Sequence, residues 1–102
     1  MAIYMLTMWL PFKVGVKVAE ITNKITKLPH YITKWQRLTT PDGRKGAKVY
    51  NIIYVDDNKI PEAGRYISKL ASMYYEIEGF SWKIESVASM RDMAKIPGVK
   101  IE

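Results

Sequence analysis

The chain has no cysteine among its 102 residues. That excludes disulfide staples, thiol nucleophiles and every thiolate metal site. Histidine occurs once, at His30. Nucleophile–base spacing, a zinc motif and a phosphate-cradling glycine loop are all missing, so metal and phosphoryl chemistry have no foothold in the motifs. Long apolar runs are absent too. The opening stretch Ile3 to Phe12 is broken by Thr7 and Pro11 and lacks a preceding basic segment. It falls well short of the roughly 20 apolar residues a bilayer helix needs, and it makes a poor signal peptide. The expectation is a soluble, cytoplasmic protein with no membrane partner. Acidic side chains are scarce in one half only. Residues 1–51 hold nine Lys/Arg and two Asp/Glu, a charge of +7, whereas residues 52–102 hold seven and eight, a charge of −1. Such asymmetry marks either an anionic partner or a solvated lysine-rich helix face with a basic hairpin tip, and the second needs fewer assumptions.

What is present organises the chain as strand, helix, strand, strand, helix, strand. A chain of this length forms one domain and buries roughly two-thirds of its unfolded surface, enough for a core without staples. The first helix is predicted from about Pro11 to Thr26, with the proline in its first turn. Its stripe Val14, Val18, Ile21, Ile25 and Leu28 faces inward, and Lys13, Lys17, Glu20, Lys24 and Lys27 face water. The second helix opens near Pro61-Glu62 and stops before Gly79, with the stripe Ala63, Ile67, Leu70, Tyr74 and Ile77. Both stripes step by four, three, four, three and lie 49 positions apart, so the halves read as two copies of one β-α-β unit.

The strands differ in kind. Ile3–Leu10 and Val49–Val55 are apolar on both faces, whereas a strand with one wet face alternates. Tyr31–Thr39 puts Tyr31, Thr33, Trp35 and Arg37 on one face and Ile32, Lys34, Gln36 and Leu38 on the other. A type I turn is predicted at Thr40-Pro41-Asp42-Gly43. Phe80–Val87 sets Phe80, Trp82 and Ile84 against Ser81, Lys83 and Glu85. Two-sided strands belong in the centre and one-sided strands at the edges, which gives the spatial order 4-1-3-2. That is an α+β, ferredoxin-like β-α-β-β-α-β fold, a four-stranded antiparallel sheet with both helices on one face. The other face then carries either Ile3, Met5, Thr7 and Trp9 or Tyr4, Leu6, Met8 and Leu10, with a matching set from 49–55. Roughly six to eight large side chains at about 1.5–3 kcal/mol each are too many to leave wet. Two such sheets packed face to face would cover them, so the expected partner is a second copy of the chain, as a homodimer or a larger homo-oligomer.

With that element order, those two-sided central strands, and Met8-Trp9-Leu10-Pro11 leading into a helix, residues 2–90 resemble the dimeric α+β barrel superfamily. In that superfamily two ferredoxin-like domains pair through their sheets. The resemblance implies a homodimer with a ligand pocket, either between sheet and helices or inside the paired sheets. It also opens a range of activities that includes cofactor-independent monooxygenases, isomerases and haem-degrading enzymes. The haem-degrading members use an Asn, Trp and His constellation. Asn51, Trp9, Trp35, Trp82 and His30 do not sit on the elements in that pattern, so those roles do not carry over, and no cofactor is expected.

Few residues bear chemistry. His30 is a candidate general base, set against the plainer role of a loop-end residue making one hydrogen bond. Asn51, inside a central strand, either bonds a neighbour such as Thr7 or Tyr50 or orients a ligand, because an unpaired buried amide costs about 1–3 kcal/mol. Trp9, Trp35, Tyr50, Tyr54 and Trp82 are candidates to line an apolar pocket, although a core or dimer interface uses the same residues. Arg37 is a candidate for holding a carboxylate. Asp56-Asp57-Asn58 reads as a loop and cap before the second helix rather than a metal site. The ligand-binding set is thus Trp9, Trp35, Arg37, Tyr50, Asn51 and Trp82.

The competing class is RNA binding. Lys45-Gly46 fits the start of the aromatic motif of RNA-recognition modules, but Ala47, Lys48 and Val49 stand where aromatic, small and aromatic residues belong. Most of the stacking platform is missing there. Residues 1–88 make the domain, and 89–102 a tail with a short helical stretch at Met90–Lys95, in which Met90, Met93 and Ile96 either pack on a partner subunit or fray into solvent. The reading is a homodimer holding a small apolar or aromatic organic molecule. A monooxygenase- or isomerase-like enzyme and a purely structural or regulatory dimer both fit it; no residue identifies an enzyme.

Overall fold

The computed structural model describes residues 2–25, 27–43 and 46–89. The order is β1 (Ala2–Pro11), a 3-10 turn at Phe12–Val14, α1 (Gly15–Asn23), β2 (Ile32–Pro41), β3 (Gly46–Val55), a second 3-10 turn at Asp57–Lys59, α2 (Ile60–Ser72) and β4 (Ser81–Val87). The four strands form one antiparallel sheet in the order β2-β3-β1-β4. The fold is ferredoxin-like α+β, as the strand patterning requires.

The register decides which face of each central strand meets the helices. Leu6 stands across from Asn51 on β3 and Ile84 on β4, and Met8 stands across from Val49 and Trp82. Leu6, Met8, Leu10, Ile53 and Val55 join Ile21 of α1 and Ala63, Ile67, Leu70 and Ala71 of α2 in one buried cluster. The alternate set, Ile3, Met5, Thr7 and Trp9 with Lys48, Tyr50, Ile52 and Tyr54, occupies the opposite face. No element among the described residues covers that side.

The helices differ from expectation at their ends. Pro11 does not start α1; it finishes β1 as the partner of Gly46, with φ −63° and ψ 149°. Gly46 is required there, because a Cβ would collide with the Leu10 carbonyl. A tight 3-10 turn then intervenes, and α1 closes at Asn23 rather than Thr26. Its Val, Ile and Thr content disfavours a longer helix. α2 keeps its whole predicted stripe buried, although regular helix ends at Ser72. Beyond it, Met73, Tyr74, Tyr75 and Ile77 donate their amides to carbonyls three residues back. These tighter turns keep Tyr74 and Ile77 inside. Gly79 then reverses the chain at φ +86°, a conformation that glycine adopts without strain.

β2 departs from its predicted alternation. Ile32 pairs with Val55 and Lys34 with Tyr54, so Thr33 is an extra residue and the strand is bulged. Ile32 therefore shares the helix-side face with Trp35 and Arg37, not the opposite face with Lys34. The β2–β3 ladder also runs on to Pro41, opposite Ala47, so the reversal comes later than the expected Thr40–Gly43 turn. The expected tail helix at 90–95 lies outside the described residues.

Candidate functional site

Asn51 sits at the middle of β3, directly between Leu6 of β1 and Arg37 of β2. It faces the helices and is 2% exposed. Burying an amide there requires partners for both ends, and the structure supplies them. Asn51 Nδ2 donates to the Leu6 carbonyl at 3.1 Å and lies 3.6 Å from Met8 Sδ. Its Oδ1 accepts from Trp35 Nε1 at 2.9 Å and from Arg37 Nε at 3.2 Å. The expected partners Thr7 and Tyr50 are wrong for a geometric reason: both project from the other face of the sheet.

This network fixes two large side chains of an edge strand. The Arg37 guanidinium lies 5.7 Å from the centre of the Trp35 ring, a range in which cation and ring attract. With Nε engaged by Asn51, the two terminal nitrogens form the outward end of the fork. No carboxylate among the described residues pairs with Arg37. Beside it opens a cavity of about 330 Å³, walled by Ile25, Leu28, Trp35 and Arg37. The walls are therefore one aromatic plane, two aliphatic side chains and one cation, with a buried amide behind them.

Ile25 also separates this cavity from a second hollow of about 360 Å³, lined by Lys24, Lys27, Tyr66, Lys69, Leu70, Ser72 and Met73. Burial, and secondarily the neighbouring Tyr31, hold the Tyr66 hydroxyl above its ordinary pKa of 10.0. A third hollow of about 500 Å³ lies at the far end of the sheet between Trp9, Leu10, Gly46, Gly79 and Ser81. Asp42 is its one charged lining residue among those described, so it offers little to fix a ligand.

The predicted site residues thus fall in three places. Trp35, Arg37 and Asn51 come together under the α1–β2 connection. Trp9 and Tyr50 lie on the uncovered face, where Lys48 Nζ sits 5.4 Å from the Trp9 ring and 5.0 Å from that of Tyr50. Trp82 is on the helix side but on the opposite edge strand, where its Nε1 donates to the Tyr75 hydroxyl at 3.0 Å. His30 is exposed, meets Tyr31 edge-on at 5.6 Å and lines none of the three hollows. Sequence reasoning missed Ile25 and Leu28 as walls. They extend the stripe of α1, but the helix stops before them and leaves them lining a cleft. Among the described residues no group of His, Asp and Glu is placed to hold a metal ion, and no helix is long and apolar enough to cross a membrane. No protein-family model matches this chain, and no curated protein is similar enough in sequence to be matched to it.

Proposed function

We propose that this protein binds a small apolar or aromatic organic molecule in the cleft between β2 and the α1–β2 connection, and that it works as a homodimer paired sheet to sheet. The observation that carries the binding reading is the buried Asn51 amide bracing Trp35 and Arg37 against an open, apolar-walled cavity. Mostly apolar walls with a few fixed polar groups are what small-molecule sites share. The uncovered face, which carries Ile3, Met5, Ile52 and Tyr54, supports the dimer reading. Lys34 and Lys48 lie toward its β2–β3 side, and Glu85 lies on β4. A two-fold axis along the strands would lay β4, with its Lys83–Glu85 pair, over β2. The resemblance to dimeric α+β barrels points the same way, and a monooxygenase- or isomerase-like reaction would belong in this cleft.

The test is titration with small aromatic acids, alcohols and hydrocarbons while the three tryptophan indole N–H resonances are followed by NMR. A saturable shift of Trp35, larger than those of Trp9 and Trp82, is the expected outcome. No shift at millimolar ligand overturns the reading.

One observation favours a second reading. Trp9, Tyr50 and Tyr54, with Lys34 5.4 Å from the Tyr54 ring and Lys48 over the other two, make a basic aromatic surface that single-stranded RNA can stack on. RNA and a second copy compete for the same face. A monomer that binds RNA with steep salt dependence would favour this alternative; a dimer that persists on dilution removes it.

A further inference from the structure

From the same cleft, and resting on the binding reading above, we infer that its ligand carries a carboxylate gripped end-on by Arg37. Three features converge. The guanidinium is oriented, because its Nε is tied to Asn51 Oδ1 at 3.2 Å, and its centre lies 5.7 Å from that of the Trp35 ring. Its charge has no carboxylate partner among the described residues, although it borders the cavity. The surroundings are basic: Lys24, Lys27 and Lys69 line the adjoining hollow beyond Ile25, and no acidic residue lines either hollow among those described. A planar fork with both terminal nitrogens presented matches the two oxygens of a carboxylate, forming parallel charge-assisted hydrogen bonds. The hydrocarbon or aryl body of the ligand then lies on Trp35 between Ile25 and Leu28. Asn51 is a positioning residue in this scheme: it sets the direction of the fork without touching the ligand.

The experiment compares pairs that share a body and differ in the anchor: phenylacetate with 2-phenylethanol, and indole-3-acetate with tryptophol. Each is titrated at neutral pH with the Trp35 resonance as the readout. The acids should bind about tenfold or more tightly than the alcohols, the range of a charge-assisted pair. Arg37→Gln should erase that preference, and Arg37→Lys should restore only part of it, because a point charge lacks the fork. Asn51→Ala should lower the acid-to-alcohol ratio itself; a merely structural role would weaken both ligands alike. Equal affinity for acids and alcohols overturns the carboxylate inference and leaves the organic-ligand reading standing. Binding of neither at millimolar concentration overturns both.

Discussion

The two faces of the sheet are built from the same strands, residue by residue in alternation, yet they meet different requirements. On the helix side Leu6, Ile53 and Val55 are fully buried, and the one polar intruder, Asn51, has every hydrogen-bonding group engaged. On the other side Ile3, Met5, Ile52 and Tyr54 are only half-buried by their neighbours. There the polar groups include Thr7, which is 3% exposed between its neighbours, lysines resting over aromatic rings and a Lys83–Glu85 pair at 3.6 Å. One face is finished within the chain, and no element among the described residues covers the other. What separates them is packing and satisfied polarity, since the residue types are much the same.

Ile52 and Ile53, adjacent in β3 and pointing opposite ways, give the sharpest way to break this contrast. Ile53→Ala leaves a cavity in a closed core and should cost about 2–5 kcal/mol, read from urea unfolding at fixed protein concentration. Ile52→Lys should instead keep the monomer's circular dichroism while weakening self-association roughly a hundredfold or more, because it sets a charge in the middle of the proposed interface. Light scattering across a dilution series measures it. A dimer that tolerates Ile52→Lys would mean that the open face is not where copies meet. An Ile52→Lys chain that fails to fold would mean that this face is needed within one chain.

Asn51→Ala tests how far the closed face depends on its polar centre. It leaves Trp35 Nε1 and Arg37 Nε without their acceptor and opens a small void, so a loss of about 1–3 kcal/mol is expected in the same unfolding experiment. A neutral result would mean that water replaces the amide and that Arg37 is not held.

Much of this arrangement was legible beforehand for a physical reason. A strand apolar on both faces has to be central, and an alternating one belongs at an edge, so Ile3–Leu10 and Val49–Val55 dictated the strand order. The α2 stripe was equally readable, because Ala63, Ile67, Leu70, Tyr74 and Ile77 keep a helical period even where the turns tighten. The choice of face was not readable, since Leu6 and Met5 are alike to any alternation rule and only the register separates them. The site was half readable. Asn51 and Arg37 stood out as polar residues on or beside a buried strand, but their meeting depends on the β2–β3 register. The bulge at Thr33, which moves Ile32 to the face of Trp35, has no marker in Tyr31-Ile32-Thr33-Lys34. Trp9, Tyr50 and Trp82 were grouped with them by residue type; the pleat sends Trp9 and Tyr50 to the other face, and the strand order puts Trp82 on the far edge.

The smallest expected effect concerns the rim of the closed face. Tyr66, on α2, faces the hollow lined by Lys24, Lys27 and Lys69, and burial together with Tyr31 raises its hydroxyl above 10.0. The folded chain therefore holds this proton more tightly than the unfolded chain does. Stability from this group is intact below the unfolded pKa near 10 and is lost as pH rises through the higher folded value. Tyr66→Phe removes the titration, so its unfolding midpoint should fall less steeply above about pH 10 than that of the parent chain, while the two run parallel from pH 6 to 9. Parallel curves through pH 11 would show that the hydroxyl is as wet in the folded chain as in the unfolded one. The hollow beside α2 would then be open to water, and the closed face would end at Leu70 rather than at Tyr66.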